Sequence, residues 1–525
     1  MAQGGGGGEA ASVAPSRRWW VLAVLCASLL MVGLDTTVLN VALPTLATDL
    51  HASTAQLQWI VDAYGLLEAG VVLAAGSLAD RLGRKTTFLA GVALFAAGSA
   101  AAAYSGSADR LTVARGAMGL GAALVMPSTL SILRTVFPDA AERTKAIGIW
   151  SGIVGVGIAI GPLAGGFLLG HFWWGSVFLI NVPIGAATLV AAAWLVPNSK
   201  AASARRLDPT GVALSVLGVG SLLWAVIEAP ADGWASPAVL VAFALAAVAL
   251  AGFVAWERRC SHPMLPLRLF AQRRLAAGNA LVLLSLFALI GTLFVLVQYL
   301  QFVLGYSAEQ TGLRLAPAAL VILVAGPVSS LAVKRVGARV VAATGLAATT
   351  AALAILATTS LSDGYPRALV AMLLLGVGAG FSISTTTDAI VASLPDADLG
   401  VGSATNSASV QLGGALGVAV LGSVASTRYR TALDRRLHPL PGSLVHHLAG
   451  PAANSLAAAL ALARSLPPRF EAVLVHAARA AFIAGMHPSL AVGTGVGVAG
   501  VLVAAVFFAP ADNESGQEAN DAEAE

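Results

Sequence analysis

An all-α membrane protein of fourteen transmembrane helices, built as two six-helix bundles with two extra helices between them, is the fold class this sequence predicts. Three features predict it: a low charge content, a run of long apolar segments, and one motif that recurs in the second half. Of the 525 residues 57% are hydrophobic and 11% charged, whereas a soluble domain carries about 25% charge. Such a chain cannot be a secreted disulfide scaffold, a disordered tail, a nucleic-acid binder or an ordinary soluble enzyme, because none of these could keep so much apolar side chain in water. Two cysteines, Cys26 in the first apolar run and Cys260 in a basic loop, offer no disulfide framework. The net charge is only +4, so its placement carries more information than its sum.

Residues 1–18 are a Gly-rich cytoplasmic lead ending in Arg17 and Arg18. The apolar stretch Trp19 to Leu43 that follows is too long for a signal-peptide core and lacks a convincing cleavage site, so it is expected to be retained. Crossing about 30 Å of hydrocarbon at about 1.5 Å per residue takes about twenty residues. In the first half that length is met by Trp19–Leu43, Leu57–Ala79, Thr87–Ala103, Leu111–Leu133, Ala146–Leu169 and Val177–Val196. Thr210–Ile227 and Pro237–Trp256 form a central pair, read as an insertion within residues 207–257. Ala276–Leu304, Thr311–Val333, Val340–Thr359, Arg367–Ala392, Val401–Val424 and Phe482–Phe508 complete the count. The domains are thus 19–199 for the first bundle and 276–509 for the second, with a cytoplasmic loop over 258–275. Residues 426–481 form a long extracellular segment broken by Pro439, Pro441, Pro467 and Pro468, and 510–525 an acidic cytoplasmic tail.

An even number of spans returns both termini to one side. With that side inside, the short inner segments hold Arg17, Arg18, Arg81, Arg84, Lys85, Arg134, Arg143, Lys145, Lys200, Arg205, Arg206, Arg258, Arg259, Arg268, Arg273, Arg274, Lys334, Arg335 and Arg339. The short outer loops hold only Arg110 and Arg367, so the positive-inside rule places both termini in the cytoplasm. The segment Gly76-Ser-Leu-Ala-Asp80-Arg81-Leu-Gly83-Arg84-Lys85 is echoed by Gly326 to Arg339, each after the second span of a half. Parallel six-helix repeats with a binding site at their interface are a transporter architecture.

Ionisable groups at bilayer depth cost about 2.5 to 3.5 kcal/mol each, which makes every one a candidate functional residue. Asp35 lies in the outer half of the first span, where it could bind a proton or substrate or merely orient the helix. Asp62 and Glu68 share the second span with Trp59 and Tyr64. Six residues turn a helix by 600°, which sets these carboxylates about 120° apart and predicts that both cannot enter one narrow site; Asp62 is the expected proton carrier. Arg115 in the fourth span cannot shed its proton and needs a partner, for which a carboxylate of the same half is the coupling option. Gly157, Gly161 and Gly165, with Pro162 and Gly166, make a side-chain-free face suited to close packing, sliding or a hinge. Gly76, Asp80, Arg81, Gly83, Arg84 and Lys85 at the inner mouth are candidates for a conformational latch. Asp388, Glu309 and Arg314 are lesser candidates. Gly495-Val-Gly497-Val-Ala-Gly500 fits a dinucleotide fingerprint only literally, since no strand is expected before it. No phosphate-binding loop or metal-ligand set is present, and His446-His447 stand without companions, so neither ATP hydrolysis, nor a metal site, nor any enzymatic chemistry is expected.

These motifs together resemble the fourteen-helix drug:proton antiporters of the major facilitator superfamily. Leu34 to Pro44 is similar to that family's first-helix signature, Gly76 to Lys85 to the superfamily's inner-loop motif, and Gly157 to Gly166 to the fifth-helix motif of exporters. Leu111 to Gly119 is similar to the fourth-helix motif, with Met118 where the pattern has glutamine; Lys334 stands where the second inner loop would have aspartate. The resemblance implies coupling roles for Asp35 and Arg115 and a gating role for the Gly161-Pro162 turn. It also implies a monomeric plasma-membrane exporter of hydrophobic, often cationic compounds that exchanges them for protons and needs no cofactor and no nucleic acid. Export of one endogenous antibiotic or siderophore is the alternative within transport, and a non-transporting membrane sensor the alternative outside it.

Overall fold

The computed structural model describes residues 15–199, 208–261, 272–392, 399–437 and 450–507, together with 263, 265, 267 and 448. The acidic tail 510–525, His446-His447 and most of the 1–18 lead lie outside the described residues, as does much of the 258–275 loop. Among the described residues the fold is helical, without strands. The first half comprises α1 (Pro15–Asp49), α2 (Thr54–Leu82), α3 (Arg84–Ala103), α4 (Ala108–Val136), α5 (Ala140–His171) and the pair α6 (Ser176–Leu179) and α7 (Asn181–Leu195). The insertion is α8 (Pro209–Asp232) and α9 (Pro237–Arg259). The second half comprises α10 (Arg273–Gln298) with a π-helical turn at Tyr299–Val303, α11 (Ala308–Val336), α12 (Ala338–Leu356), α13 (Gly364–Ala392) and α14 (Leu399–Leu437). The short α15 (Leu456–Ala463) and the long α16 (Pro468–Phe507) close it.

Twelve of these helices are long and apolar enough to cross a membrane; α2 and α5, at 29 and 32 residues, have comparable length. Large apolar side chains such as Trp194, Val113, Val241, Val248, Leu320 and Leu331 are exposed around the outside, a surface that suits lipid rather than water.

Local chemistry repeats between the halves. Ser53 and Gln56 form a reciprocal capping box at the start of α2, and Ser307 and Gln310 form the same box at the start of α11. Each helix ends on a glycine at positive φ, Gly83 at 111° and Gly337 at 82°, whose N–H returns to the carbonyl four residues back. Side chains rarely adopt that φ, which explains why both echoes of the inner-loop motif carry glycine there. Packing repeats as well: α1 lies on α5 as α10 lies on α14, α2 on α4 as α11 on α13, and α3 on α4 as α12 on α13.

The halves meet along two seams, α2 with α14 and α5 with α11. The start of α1 and the end of α16 share one end of the bundle, here the near end; the opposite, far end is closed by both seams. The start of α11 sits against the last turns of α5, where Gly166 faces Ala308 and Glu309. At the other seam Gln58, one turn into α2, donates to the Val418 and Ala419 carbonyls of α14. Gln301 beside α10 reaches the Val41 carbonyl of α1 at 2.9 Å. Toward the near end, by contrast, a Cβ added to Gly76 of α2 would meet, among the described residues, only Pro127 of its own half within 4 Å.

The structure refines two sequence readings. Much of the segment 426–481 extends two spans: α14 runs to Leu437, past the expected end at Val424, and α16 starts at Pro468 rather than Phe482. Proline at a helix start is favoured because its missing N–H has no partner there anyway, so Pro468 opens a helix instead of separating two. The insertion is also no bystander. Leu223 and Ile227 of α8 pack on Ala415 and Ala419 of α14, Ser423 donates to the Val226 carbonyl at 2.6 Å, and Trp59 of α2 donates to Glu228 at 3.2 Å. Thus α8 covers the α2–α14 seam from outside and touches both halves.

Candidate functional site

The polar centre is assembled by one arginine. Arg115 is buried on α4, where Gly116 and Gly119 lack side chains and let the backbone approach α2; a Cβ on Gly119 would run into the Tyr64 carbonyl. This approach lets the Arg115 Nε donate to the Ile60 carbonyl at 3.1 Å, while the guanidinium carbon lies 4.5 Å from the centre of the Tyr64 ring. Its Nη1 donates to Asp35 Oδ2 of α1 at 2.5 Å, with both side chains shielded from solvent. The other Asp35 oxygen accepts from Asn181 Nδ2 of α7 at 3.2 Å. Asn181 also reaches Ser99 of α3 at 3.1 Å, and Ser99 donates to the Phe178 carbonyl at 2.8 Å. A buried ion pair is tolerable only when its remaining polar atoms are satisfied, and here the bonds from Asn181 and Ile60 do that.

Met118 places its sulfur 3.9 Å from Arg115 Nη1, a weak acceptor where the resembling pattern has an amide. The polar network therefore turns the other way, toward α2. Tyr64 lies under the guanidinium, and Glu68 sits one turn further along α2. Glu68, itself buried, accepts a hydrogen bond from Gln411 Nε2 of α14. Contacts thus link Asn181, Asp35, Arg115 and Tyr64 within the first half, and Glu68 to Gln411 across into the second.

Asp62 stands apart from this chain. It is fully buried, and among the described residues neither carboxylate oxygen has a hydrogen-bond partner. It lies between Gln58, which binds α14, and Gly65, where an added Cβ would meet Gln411 and Ala415 at 3.6 and 3.8 Å, and so belongs to the stripe of α2 that meets α14. Both carboxyls thus lie along the seam with α14 but in different surroundings: Glu68 bonds Gln411, whereas Asp62 has no bonding partner among the described residues.

The remaining candidates divide by partner. Gly157, Gly161 and Gly165 face Leu30 to Val38 of α1, inside one half. Gly166 and the Pro162 carbonyl face α11, where Gly312 permits the close approach, so Pro162 and Gly166 lie on the inter-half seam of α5. The five residues thus divide between two partners, α1 and α11. At the near end Arg84 donates to Thr135 at 2.6 Å and Lys85 to the Ala193 carbonyl at 2.7 Å, both within the first half. Arg81 is exposed, and the Asp80 side chain lies outside the described residues. Among the lesser candidates Arg314 stacks on Tyr306 at 3.9 Å, while Asp388 and Glu309 are exposed. Gly497 and Gly500 face Thr350 and Leu346 of α12, so the literal dinucleotide fingerprint is a helix-packing surface. Asn181 and Gln411 were not singled out from sequence; each is an amide in an apolar span, a signal weaker than a charge but of the same kind.

The close approach at Gly119 makes a prediction. Gly119→Ala must push α4 from the Tyr64 backbone and loosen the Arg115 anchor, so a thermal melt in detergent should show a loss of about 1 to 3 kcal/mol. Gly76→Ala, where the added carbon would lie 3.9 Å from Pro127, should melt as the wild type does.

Comparison with known proteins places this geometry. The chain is 38% identical over 94% of its length to the multidrug efflux pump LfrA of Mycolicibacterium smegmatis, covering 97% of that protein. It is 36% identical to the tetracenomycin C resistance and export protein of Streptomyces glaucescens, over 93% of this chain and 91% of that one. It is 35% identical to the methyl viologen resistance protein SmvA of Salmonella typhimurium, over 89% and 93%. Among solved structures, a bacterial homolog of the human lysosomal transporter Spinster superposes with a TM-score of 0.63 at 16% identity, over 94% of this chain and 98% of that one. A family model described as Major Facilitator Superfamily matches residues 25–418, and with two repeated helical halves meeting across a buried charged centre, the chain belongs to the major facilitator superfamily.

Proposed function

We propose that the chain exports hydrophobic cationic compounds from the cytoplasm in exchange for protons, by alternating access. One observation carries the reading: the buried carboxylates are split between a neutralised pair, Asp35 with Arg115, and two carboxyls, Glu68 and Asp62, set in the seam that must part if the far end is to open. Relatives named for multidrug efflux, for export of tetracenomycin C and for methyl viologen resistance support the cargo class. The positive-inside distribution makes the near end cytoplasmic and the far end external, in the plasma membrane, with all fourteen long helices crossing. The closed far end then makes this conformation inward-facing.

In this state Arg115 holds α1, α2 and α4 as one body, and Asp35 is a fixed charge. Cargo entering from the cytoplasm meets Glu68. Parting of the α2–α14 seam exposes Glu68 and Asp62 to the outside, where protons displace the cargo. The return closes the seam on Asp62, which has no partner there, and an unpaired carboxyl is sealed away far more cheaply with its proton on. Only differential affinity drives such a cycle. At about 150 mV one net inward charge supplies about 3.5 kcal/mol, enough for a gradient of several hundred-fold.

Inverted membrane vesicles test the reading. On imposing an acid interior, vesicles containing the chain should accumulate ethidium, and collapse of the gradient should release it. Equal accumulation in vesicles lacking the chain would refute it. The second reading, one dedicated antibiotic, is supported by the Streptomyces relative; it requires that unrelated cations fail to compete with one another for uptake.

A further inference from the structure

We propose that Gln411 is a built-in stand-in for cargo: its amide occupies Glu68 while the site is empty, ties α14 to α2, and must be displaced by the cation before the far end can open. The inference rests on the exporter reading and adds to it the step by which binding is made a condition of movement.

The geometry is specific. Gln411 Nε2 donates to Glu68 Oε2 across the boundary between halves, 343 residues apart in sequence. Glu68 lies near the middle of α2, ten residues along the helix from Gln58, which bonds Val418 and Ala419. The seam is therefore fastened toward its outer end by an amide on backbone carbonyls, which no ligand would replace, and deeper in by an amide on a carboxylate. Gly65, three residues before Glu68, lies against Gln411: a Cβ added there would come 3.6 Å from both the Gln411 carbonyl and its side-chain amide oxygen. The Asp35–Arg115–Tyr64 centre belongs to the first half, and Gln411 brings a donor of the second half to the carboxylate one turn beyond it.

An amide is suited to the task. Its N–H offers an ionised carboxylate a charge-assisted hydrogen bond, but it carries no charge, so a cationic group outcompetes it. A lysine in the same place would compete as an equal. While the amide is in place the empty, deprotonated carrier is held facing the cytoplasm; without it, that carrier would turn outward unloaded, collect a proton and return, which is a proton leak. Holding the site also lowers apparent affinity, since the cation must first release the amide.

The experiment uses full-length protein in inverted vesicles with ethidium as the probe. Gln411→Met keeps the side-chain length and removes the donor; it should lower the half-saturation concentration about tenfold, the worth of one hydrogen bond to a charged group, and raise proton leak without ethidium. Gln411→Lys should move half-saturation the opposite way and suppress the leak. In a Glu68→Gln background Gln411→Met should change neither quantity further. A residue that merely packs the seam would instead weaken both variants in the same direction. That result, or wild-type half-saturation and leak in Gln411→Met, overturns the proposal while leaving the exporter reading intact. Wild-type vesicles that take up no ethidium overturn the exporter reading and the proposal with it.

Discussion

Asp35→Asn should abolish gradient-driven uptake and destabilise the protein by about 3 to 5 kcal/mol, the cost of leaving a buried charge without its partner. The neutral amide fits the space, and it can still accept from Asn181. What it cannot do is balance Arg115, which sits between α1, α2 and α4 with no route to solvent. The variant should therefore melt early in detergent. Asp35→Asn combined with Arg115→Met, which removes both charges and roughly keeps volume, should recover most of the stability and none of the transport, because the centre that orients Tyr64 and Glu68 is gone. Recovery of uptake in the double variant would show that the pair is a structural clamp only.

Glu68→Gln is the second large effect, and it differs in kind. Among the described residues Glu68 makes no ion pair within hydrogen-bonding range; its partner there is the amide of Gln411. Its replacement leaves Arg115 and Asp35 bonded and the fold intact, so the melting temperature should stay within a few degrees of wild type. Ethidium uptake at a fixed gradient should fall about ten- to a hundred-fold, since the cation loses a contact to a charged group worth about 1.5 to 3 kcal/mol. Asp62→Asn should behave differently again. It needs no proton to close the seam, so cargo still binds, but its share of proton exchange is lost and the steady-state gradient falls.

The sequence exposed the architecture because the bilayer enforces it: every span must be long and apolar, and basic residues stay inside. The candidate acids and Arg115 were legible for the same reason, a charge in oil being conspicuous. What the sequence withheld was pairing. Helical spacing separated Asp62 from Glu68 by 120° but could not reveal that both lie along the seam with α14, nor that Glu68 bonds Gln411. The glycine series from Gly157 to Gly166 announced close packing without saying against what, and only contacts distinguish the α1 face from the α11 seam. Gln411 and Asn181 escaped notice because neutral amides are common in spans and nothing local marks those that meet a carboxylate.

The twin capping boxes show a repeat the charged motif only partly disclosed. Ser53 with Gln56 and Ser307 with Gln310 fix the far ends of α2 and α11, the two helices that form the inter-half seams. Both moving contacts thus start from ends of the same construction, whereas the chemistry between them is one-sided: the ion pair and the two seam carboxyls all belong to the first half.

Proton release on cargo binding tests the central claim most directly. Purified protein in weakly buffered detergent, with a pH-sensitive dye, should release protons when tetraphenylphosphonium is added, and Glu68→Gln should cut that release sharply while Asp35→Asn/Arg115→Met shifts its concentration dependence. Unchanged release from both Glu68→Gln and Asp62→Asn, with the cation still bound, would contradict the exchange of hydrogen ions for cargo at the α2–α14 seam.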